Sequence, residues 1–580
     1  MTSNTPKFDS AIADYFAKLK LDDKGGQWRA CRFSGKQFYV RPEDVEFCQA
    51  MKTPLPTLAP YERYRLRFSY SNSYNLFKVK SALTGQEIIS EFPPNTPYKV
   101  DEHQTWYSDD GWDRFAFGMS YDPAAAFFEL YKKFALQVPR PSLRLDKTSV
   151  NSDYSHASSY LKNCYLVFDS SQAQDCAFGI GFLYSRDCLD GCAVFNSQEC
   201  YDCFEAQHLY RCRHTEYAEN CLNGAFLFDC RNCISCFMCS NQRHKKYMFS
   251  NQQLSKSDYE KKMRQINLGD RTVVARLYQE FYKMKKSAFH KENHNEKSVN
   301  CRGDYIKNSK NCWECFYQVG CENVSYAFGS VDLKDSFDVE GGIGSARIRE
   351  SYGGQNNHNI KFSLRNMESH DLEYCDQCEN CHDCFACIGL KNKSFCIFNV
   401  QYSEDEYWRR VDELKTAMLA RGEYGEFFPP WLAFVPYNIS SAMSFEGFDD
   451  IENARKYGYP IETVPPPVVD AGSETIKSDD LPADIKDVDD SILQKVIRDE
   501  KNGKVYRITR MELDFYRRYG IPLPTEHYTI RLARLRKKIG LVVARYFQRA
   551  CDKCRQEIES THDPALGETV FCEQCYYGSL

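Results

Sequence analysis

A chain of 580 residues is too long for one hydrophobic core, so several domains are expected. Its net charge of -5 excludes a global electrostatic attraction to nucleic acid, and no run of eighteen apolar residues exists to span a membrane. Twenty-eight cysteines, without a basic-then-apolar leader in Met-Thr-Ser-Asn-Thr-Pro-Lys-Phe, point to thiols kept free or metal-bound in a reducing, cytoplasmic setting rather than to a disulfide scaffold.

The first readable unit is 27–140. It carries Ser34-Gly-Lys-Gln-Phe-Tyr-Val, Asp44-Val-Glu-Phe47 and Pro54-Leu-Pro56. All three recur 468 residues later as Asn502-Gly-Lys-Val-Tyr-Arg-Ile, Glu512-Leu-Asp-Phe515 and Pro522-Leu-Pro524. Gln86-Glu87-Ile88 then matches Gln556-Glu557-Ile558 at an offset of 470. The two ends are therefore copies of one small α+β module.

Between 151 and 253 the cysteines keep a rhythm. Cys164, Cys176, Cys188, Cys200 and Cys212 are twelve apart, and Cys212, Cys221, Cys230 and Cys239 are nine apart; Cys192 alone breaks the multiple of three. Polar residues such as Asn163, Asp175 and Asp187 precede many of them. A short repeat with one small inward residue is the pattern of a parallel β-helix. Residues 300–400 repeat it from Cys312 to Cys396, and Cys236-Phe-Met-Cys239 matches Cys384-Phe-Ala-Cys387 at an offset of 148. The Gly-rich stretch 340–356 is expected to interrupt this second solenoid. Helices follow each one, at 254–298 and 401–460, with Ser255 and Ser403 as N-caps. The overall expectation is a mainly β chain: tandem Cys-rich, β-helix-like solenoids with intervening helices, flanked by duplicated zinc-ribbon-like modules.

The dense runs Cys230–Cys239 and Cys375–Cys387 fit packing or corner cysteines, a zinc site, or an iron–sulfur cluster, although neither run ends in the Cys-Pro of a ferredoxin. In a strand, residues three apart point to opposite faces, which favours corners over a shared cluster.

Residues 461–496 hold Pro465-Pro-Pro467 and a string of carboxylates from Asp470 to Asp490, the composition of an extended acidic linker. The C-terminal module, 497–580, follows. Its segment 498–550 carries fourteen Lys or Arg against five Asp or Glu, with Arg531, Arg534, Arg536, Lys537 and Lys538 clustered among aromatics. Those five residues could track phosphates of RNA or DNA, meet a protein or the acidic linker, or form a solvated face.

The strongest metal signature comes last. Cys551-Asp-Lys-Cys554 and Cys572-Glu-Gln-Cys575 are two CxxC knuckles with seventeen residues between them, room for a hairpin that closes four sulfurs around Zn2+. At the matching N-terminal positions stand Ser81, Thr84, Glu102 and Thr105, so that copy is degenerate.

These modules, joined to [Asn/Asp]-Cys repeats, resemble uncharacterised Cys-rich, zinc-ribbon or treble-clef-like bacterial proteins. The resemblance implies zinc binding and no particular activity. Here Cys31-Arg-Phe-Ser34 keeps one cysteine of that family's first upstream pair, and Ala59-Pro-Tyr-Glu62 keeps none of the second.

No nucleotide-binding loop, zinc-protease or nucleophile-elbow motif is present. His290 and His294, at helical spacing, read as surface histidines; Cys212 beside His214 reads as part of the repeat; Asp338 and Glu340 are the one carboxylate pair placed for acid–base work on a strand. The expected function is a non-enzymatic zinc-binding scaffold or adaptor with no catalytic residues. Its partner is a protein or nucleic acid, with no membrane and no small-molecule cofactor besides zinc. The alternatives are a nucleic-acid-binding protein acting through the C-terminal module and a carbohydrate-active β-helix enzyme.

Overall fold

The computed structural model of the chain describes residues 4–445, 447–463, 474–538 and 546–580. Helix makes up 26% and strand 32%, so the class is mixed rather than mainly β. Helices in the terminal modules and connectors supply the difference.

Two long parallel sheets form the centre. One runs from Tyr165–Phe168 to Gln252–Gln253 in nine strands, the other from Arg302–Lys307 to Val400–Gln401 in eleven. Each closes with a short antiparallel return, Met248↔Gln253 in the first and Cys396↔Gln401 in the second. Between successive strands the register advances by twelve, apart from a one-residue shift between Arg302 and Gly303 at the start of the second stack: Tyr165 lies beside Ala177, Cys188 beside Cys200, Cys384 beside Cys396. The backbone explains the number. Asn163, Leu166, Asp169, Gln172 and Asp175 all have φ near +50°, and this left-handed residue recurs at every third position. Such a conformation costs most L-residues about 1–2 kcal/mol and suits Asn and Asp best, which is why polar residues precede the cysteines.

The residue after each left-handed one points inward. In the first stack these residues include Cys164, Val167, Cys176, Phe182, Cys188 and Cys200, and they share one core; the second stack has its own. Where the inward residue is a small donor, it bonds to the backbone of its own and the next coil. The Cys164 thiol donates to the carbonyls of Lys162 at 3.5 Å and Ala173 at 3.3 Å. Ser185 makes the same pair of bonds to Leu183 and Val194, both at 3.1 Å. Cysteine therefore combines apolar burial with a weak hydrogen bond. Cys192, out of register, packs instead in the core outside the stack.

Two expectations need correction. Residues three apart do not alternate faces, because a left-handed residue in each triplet turns the chain and all four cysteines from Cys230 to Cys239 belong to the same interior. Nor does the Gly-rich stretch interrupt the second stack. Lys334–Glu340, Ala346–Tyr352 and His358–Leu364 continue at the twelve-residue register, with Leu333, Val339, Ile348 and Ile360 in the core where cysteine is missing.

Helices Lys256–Met263 and Glu404–Ala420 begin at equivalent points after the two stacks, capped by Ser255 and Ser403 accepting from the backbone N–H of Asp258 and Glu406. The acidic stretch differs from a free tether. Pro465–Pro467 and Asp470 lie outside the described residues, but from 474 onward Leu481, Ile485, Val488 and Ile492 are buried. The Ile485 N–H donates to the Gly269 carbonyl at 3.0 Å, and Asp490 pairs with Arg510 and Arg517 at 2.9 and 2.6 Å. Four apolar side chains spaced by four, three and four residues outweigh the surrounding carboxylates.

The terminal modules repeat element by element. Helices Pro42–Ala50 and Pro60–Phe68, hairpin Phe77–Lys80 with Glu87–Ser90, and helix His103–Tyr107 correspond to Arg510–Tyr519, Tyr528–Lys538, Phe547–Ala550 with Glu557–Ser560, and Glu573–Tyr577. They dock crosswise. Arg63 of the N-terminal module meets Asp338 of the second stack at 2.8 Å, with its guanidinium 4.7 Å above the Tyr326 ring. Arg531 of the C-terminal module pairs with Asp190 of the first stack, 4.8 Å above Phe178. Both relations respect both duplications: 531 − 63 = 468, 338 − 190 = 148 and 326 − 178 = 148.

All twenty-eight cysteines are free thiols, and only Cys301, Cys554 and Cys575 are not buried. In metal-loaded native protein, brief thiol labelling read by peptide mass spectrometry is expected to modify Cys301 well ahead of any stack cysteine. Comparable labelling of Cys188 or Cys378 would contradict the buried interior.

Candidate metal centre

Cys551 follows strand Phe547–Ala550, and its N–H donates to the Gln556 carbonyl at 2.8 Å across a tight turn; Arg555, at φ 66°, lets that turn close. Cys572 caps helix Glu573–Tyr577 and accepts from the Cys575 N–H at 3.5 Å. The two knuckles meet face to face. All four sulfurs lie within 4.8 Å of one another, and Cys554 Sγ stands 3.8 Å from Cys572 Sγ. Burial raises the Cys551 thiol, but the backbone N–H groups of Cys554, Cys572 and Lys553 hold it down at about 6, favouring the thiolate a metal requires. This four-thiolate cluster can hold a metal ion.

The N-terminal copy keeps the frame and replaces the ligands. Ser81 N–H donates to the Gln86 carbonyl at 2.8 Å, as Cys551 does to Gln556. The Ser81 hydroxyl donates to Asp101, and Glu102 caps helix His103–Tyr107 by accepting from the Thr105 N–H at 2.8 Å. Hydrogen bonds tie together there what sulfur brings together at the other end. The dense cysteine runs do not converge in this way: among the described residues, the groups of three or more candidate metal donors are the tetrad and a second set, His290, His562 and Glu568.

The basic cluster turns inward. Arg531 is buried against Asp190, Lys538 reaches Glu216 at 2.7 Å and Arg536 lies 3.6 Å from Asp169, all carboxylates of the first stack. Arg534 pairs with Glu526 of its own module, while Lys537 is exposed. The fold consumes most of the positive charge that composition suggested for phosphates.

The acid–base pair is consumed likewise. Asp338 and Glu340 are buried among Arg63, Arg67 and Arg349, at 2.8 to 3.1 Å, with no open face for a sugar. His290 and His294 are not on a helix surface. His290 sits in strand Phe289–Lys291, buried, and His294 faces Asp304 at 3.2 Å. Helical spacing misled because the chain is extended there.

Compared with known proteins, the chain matches no family model, no curated protein and no solved structure. No described helix is long and apolar enough to cross a membrane.

Proposed function

We propose that the protein is a non-enzymatic, zinc-binding scaffold of a reducing, cytoplasmic compartment, in line with its resemblance to Cys-rich zinc-ribbon proteins. In this reading each parallel stack is a closed β-helix-like solenoid with four three-residue sides per twelve-residue coil. The tetrad is a structural zinc site: four sulfurs at about 2.3 Å from zinc would lie about 3.8 Å apart, the separation of Cys554 and Cys572. Four thiolates leave no position open for substrate.

The observation that carries the scaffold reading is a ladder of exposed apolar residues on the second stack. Val319, Val331, Ile343 and Met367 stand in one column, with Gln355 between the last two, and each apolar member is 37–45% exposed. Four strand spacings give a strip about 19 Å long. Isolated exposed apolar residues are ordinary, whereas an aligned column is a contact surface. The strip itself is uncharged, with Lys307 and Glu379 bounding the column at its two ends, which suits an apolar protein surface rather than phosphates. A photo-crosslinker at position 343 of the full chain, in native lysate treated with nuclease, is expected to capture a protein. V331D with M367D should cut that capture about tenfold, a loss of about 1.4 kcal/mol. Capture unchanged by the double substitution, or adducts that vanish with nuclease, would overturn the reading.

A further inference from the structure

The second group of candidate donors is built from two parts of the chain. Strand Phe289–Lys291 pairs in parallel with Thr569–Phe571, setting His290 opposite Val570. His562 comes from the end of the last hairpin and Glu568 from the loop before that strand. The ligand atoms of His290, His562 and Glu568 lie within 4.8 Å of one another, and the two imidazole rings are 5.0 Å apart.

Hydrogen bonding fixes which nitrogens carry lone pairs. His562 Nδ1 is 2.8 Å from Glu568 Oε2; an ionised carboxylate only accepts, so Nδ1 carries a proton, and in the neutral ring the lone pair is then on Nε2. That Nε2 is buried and has no hydrogen-bond partner. His290 Nε2 is 3.2 Å from the Lys285 carbonyl oxygen, which also only accepts, leaving the lone pair on Nδ1. A buried imidazole acceptor with no donor is costly unless something electrophilic meets it. An imidazole held by a carboxylate through its other nitrogen is the arrangement metal-ligating histidines use.

The molecule contains its own control. At the offset of 470, His562 corresponds to Phe92 and Glu568 to Tyr98. Val100 pairs with Arg140 as Val570 pairs with His290. There the same place is filled by the Arg140 guanidinium 5.1 Å above Tyr98, with Phe92 buried beside it. The fold does not require ligand-type residues here, yet the C-terminal copy has them at all three positions.

We propose that His290 and His562, the latter ring held through Nδ1 by Glu568, form a second metal site, separate from the four thiolates, for a first-row divalent cation such as zinc, cobalt or nickel. Two neutral imidazole nitrogens are a borderline donor pair that suits these ions better than magnesium or calcium.

The test is a cobalt(II) titration of the full chain. Bound equivalents are counted by equilibrium dialysis with elemental analysis, and thiolate-to-cobalt charge-transfer absorption tells the sites apart. Wild type is expected to hold two equivalents. H562F with E568Y, which installs the residues of the N-terminal copy, should hold one with the thiolate absorption undiminished. C551S with C554S should hold one without it. H290Q alters no residue of the hairpin module and is expected to lose the same equivalent as H562F with E568Y, so a folding failure of the latter leaves the test intact. One equivalent in wild type, or two retained in H290Q, would overturn the proposal.

Discussion

Asp338→Ala is expected to destabilise the folded chain by about 3–5 kcal/mol, read as a shift in denaturant midpoint, because it removes one partner of a buried ionic network. Asp338 touches Arg63 at 2.8 Å, Arg67 at 3.1 Å and Arg349 at 2.8 Å, and all four side chains are shielded from water. Their desolvation is offset only by mutual attraction and hydrogen bonds. Without Asp338, three guanidiniums remain with Glu340 and Glu350, and one positive charge is left uncompensated. The site of damage distinguishes this from a general loss of stability. Hydrogen exchange should accelerate in helix Pro60–Phe68, some 270 residues away in sequence, before it does in the C-terminal module. Asp190→Ala should do the reverse, loosening helix Tyr528–Lys538 through Arg531. Exchange that rises in the module on the same side of the chain instead would contradict crosswise docking.

Cys551→Ser with Cys554→Ser is expected to abolish metal binding at the knuckles and to loosen the knuckle turn 551–556 and helix Glu573–Tyr577 locally, leaving the strand pairing of 569–571 in place. Structural zinc sites in isolated peptides are worth about 10–16 kcal/mol of apparent binding energy, much of it spent on folding. The cores of this unit are small, with Cys551, Ile558, Val570 and Cys572 its buried members. Strand pairing to Phe289–Lys291 and the hydrogen bonds that join Tyr576 to Asp229 and Arg243 should keep the segment tethered rather than released. Residues 77–107 should be unaffected, since Ser81, Asp101 and Glu102 close that copy without metal. The comparison is made by hydrogen exchange on the full chain; equal protection of the knuckle residues 551–556 and 572–577 in wild type and variant would mean that metal plays no part in holding them.

The residues that announced themselves in the sequence share one property: their spacing is local. The knuckles could be read because CxxC is a single turn, and the twelve-residue return could be read because cysteine recurs in the inward slot. What periodicity did not disclose was the left-handed residue in every triplet. Without it, residues three apart look like opposite faces of a strand, and a stretch with Leu333, Val339 and Ile348 in place of cysteine looks like a break. Long-range pairing was less accessible. Arg531 and its neighbours form a basic helix in isolation, and the carboxylates that meet them, Asp169, Asp190 and Glu216, are scattered over the first stack. A signal did exist: Arg63 and Arg531 fall on one duplication offset, and Asp190 and Asp338 on the other, so a charge repeated in both copies pointed to a repeated contact. The His290 group offered none, because His562 and Glu568 join it only through a strand pairing nearly 280 residues long in sequence.

The most direct measurement is the zinc K-edge X-ray absorption spectrum of the full chain loaded with one equivalent of zinc, an amount that fills the tighter site first. A four-thiolate structural centre predicts a first shell of four sulfurs at about 2.3 Å, and its loss in C551S with C554S. A first shell made of nitrogen and oxygen at about 2.0–2.1 Å, or a sulfur shell that persists in that variant, would contradict it.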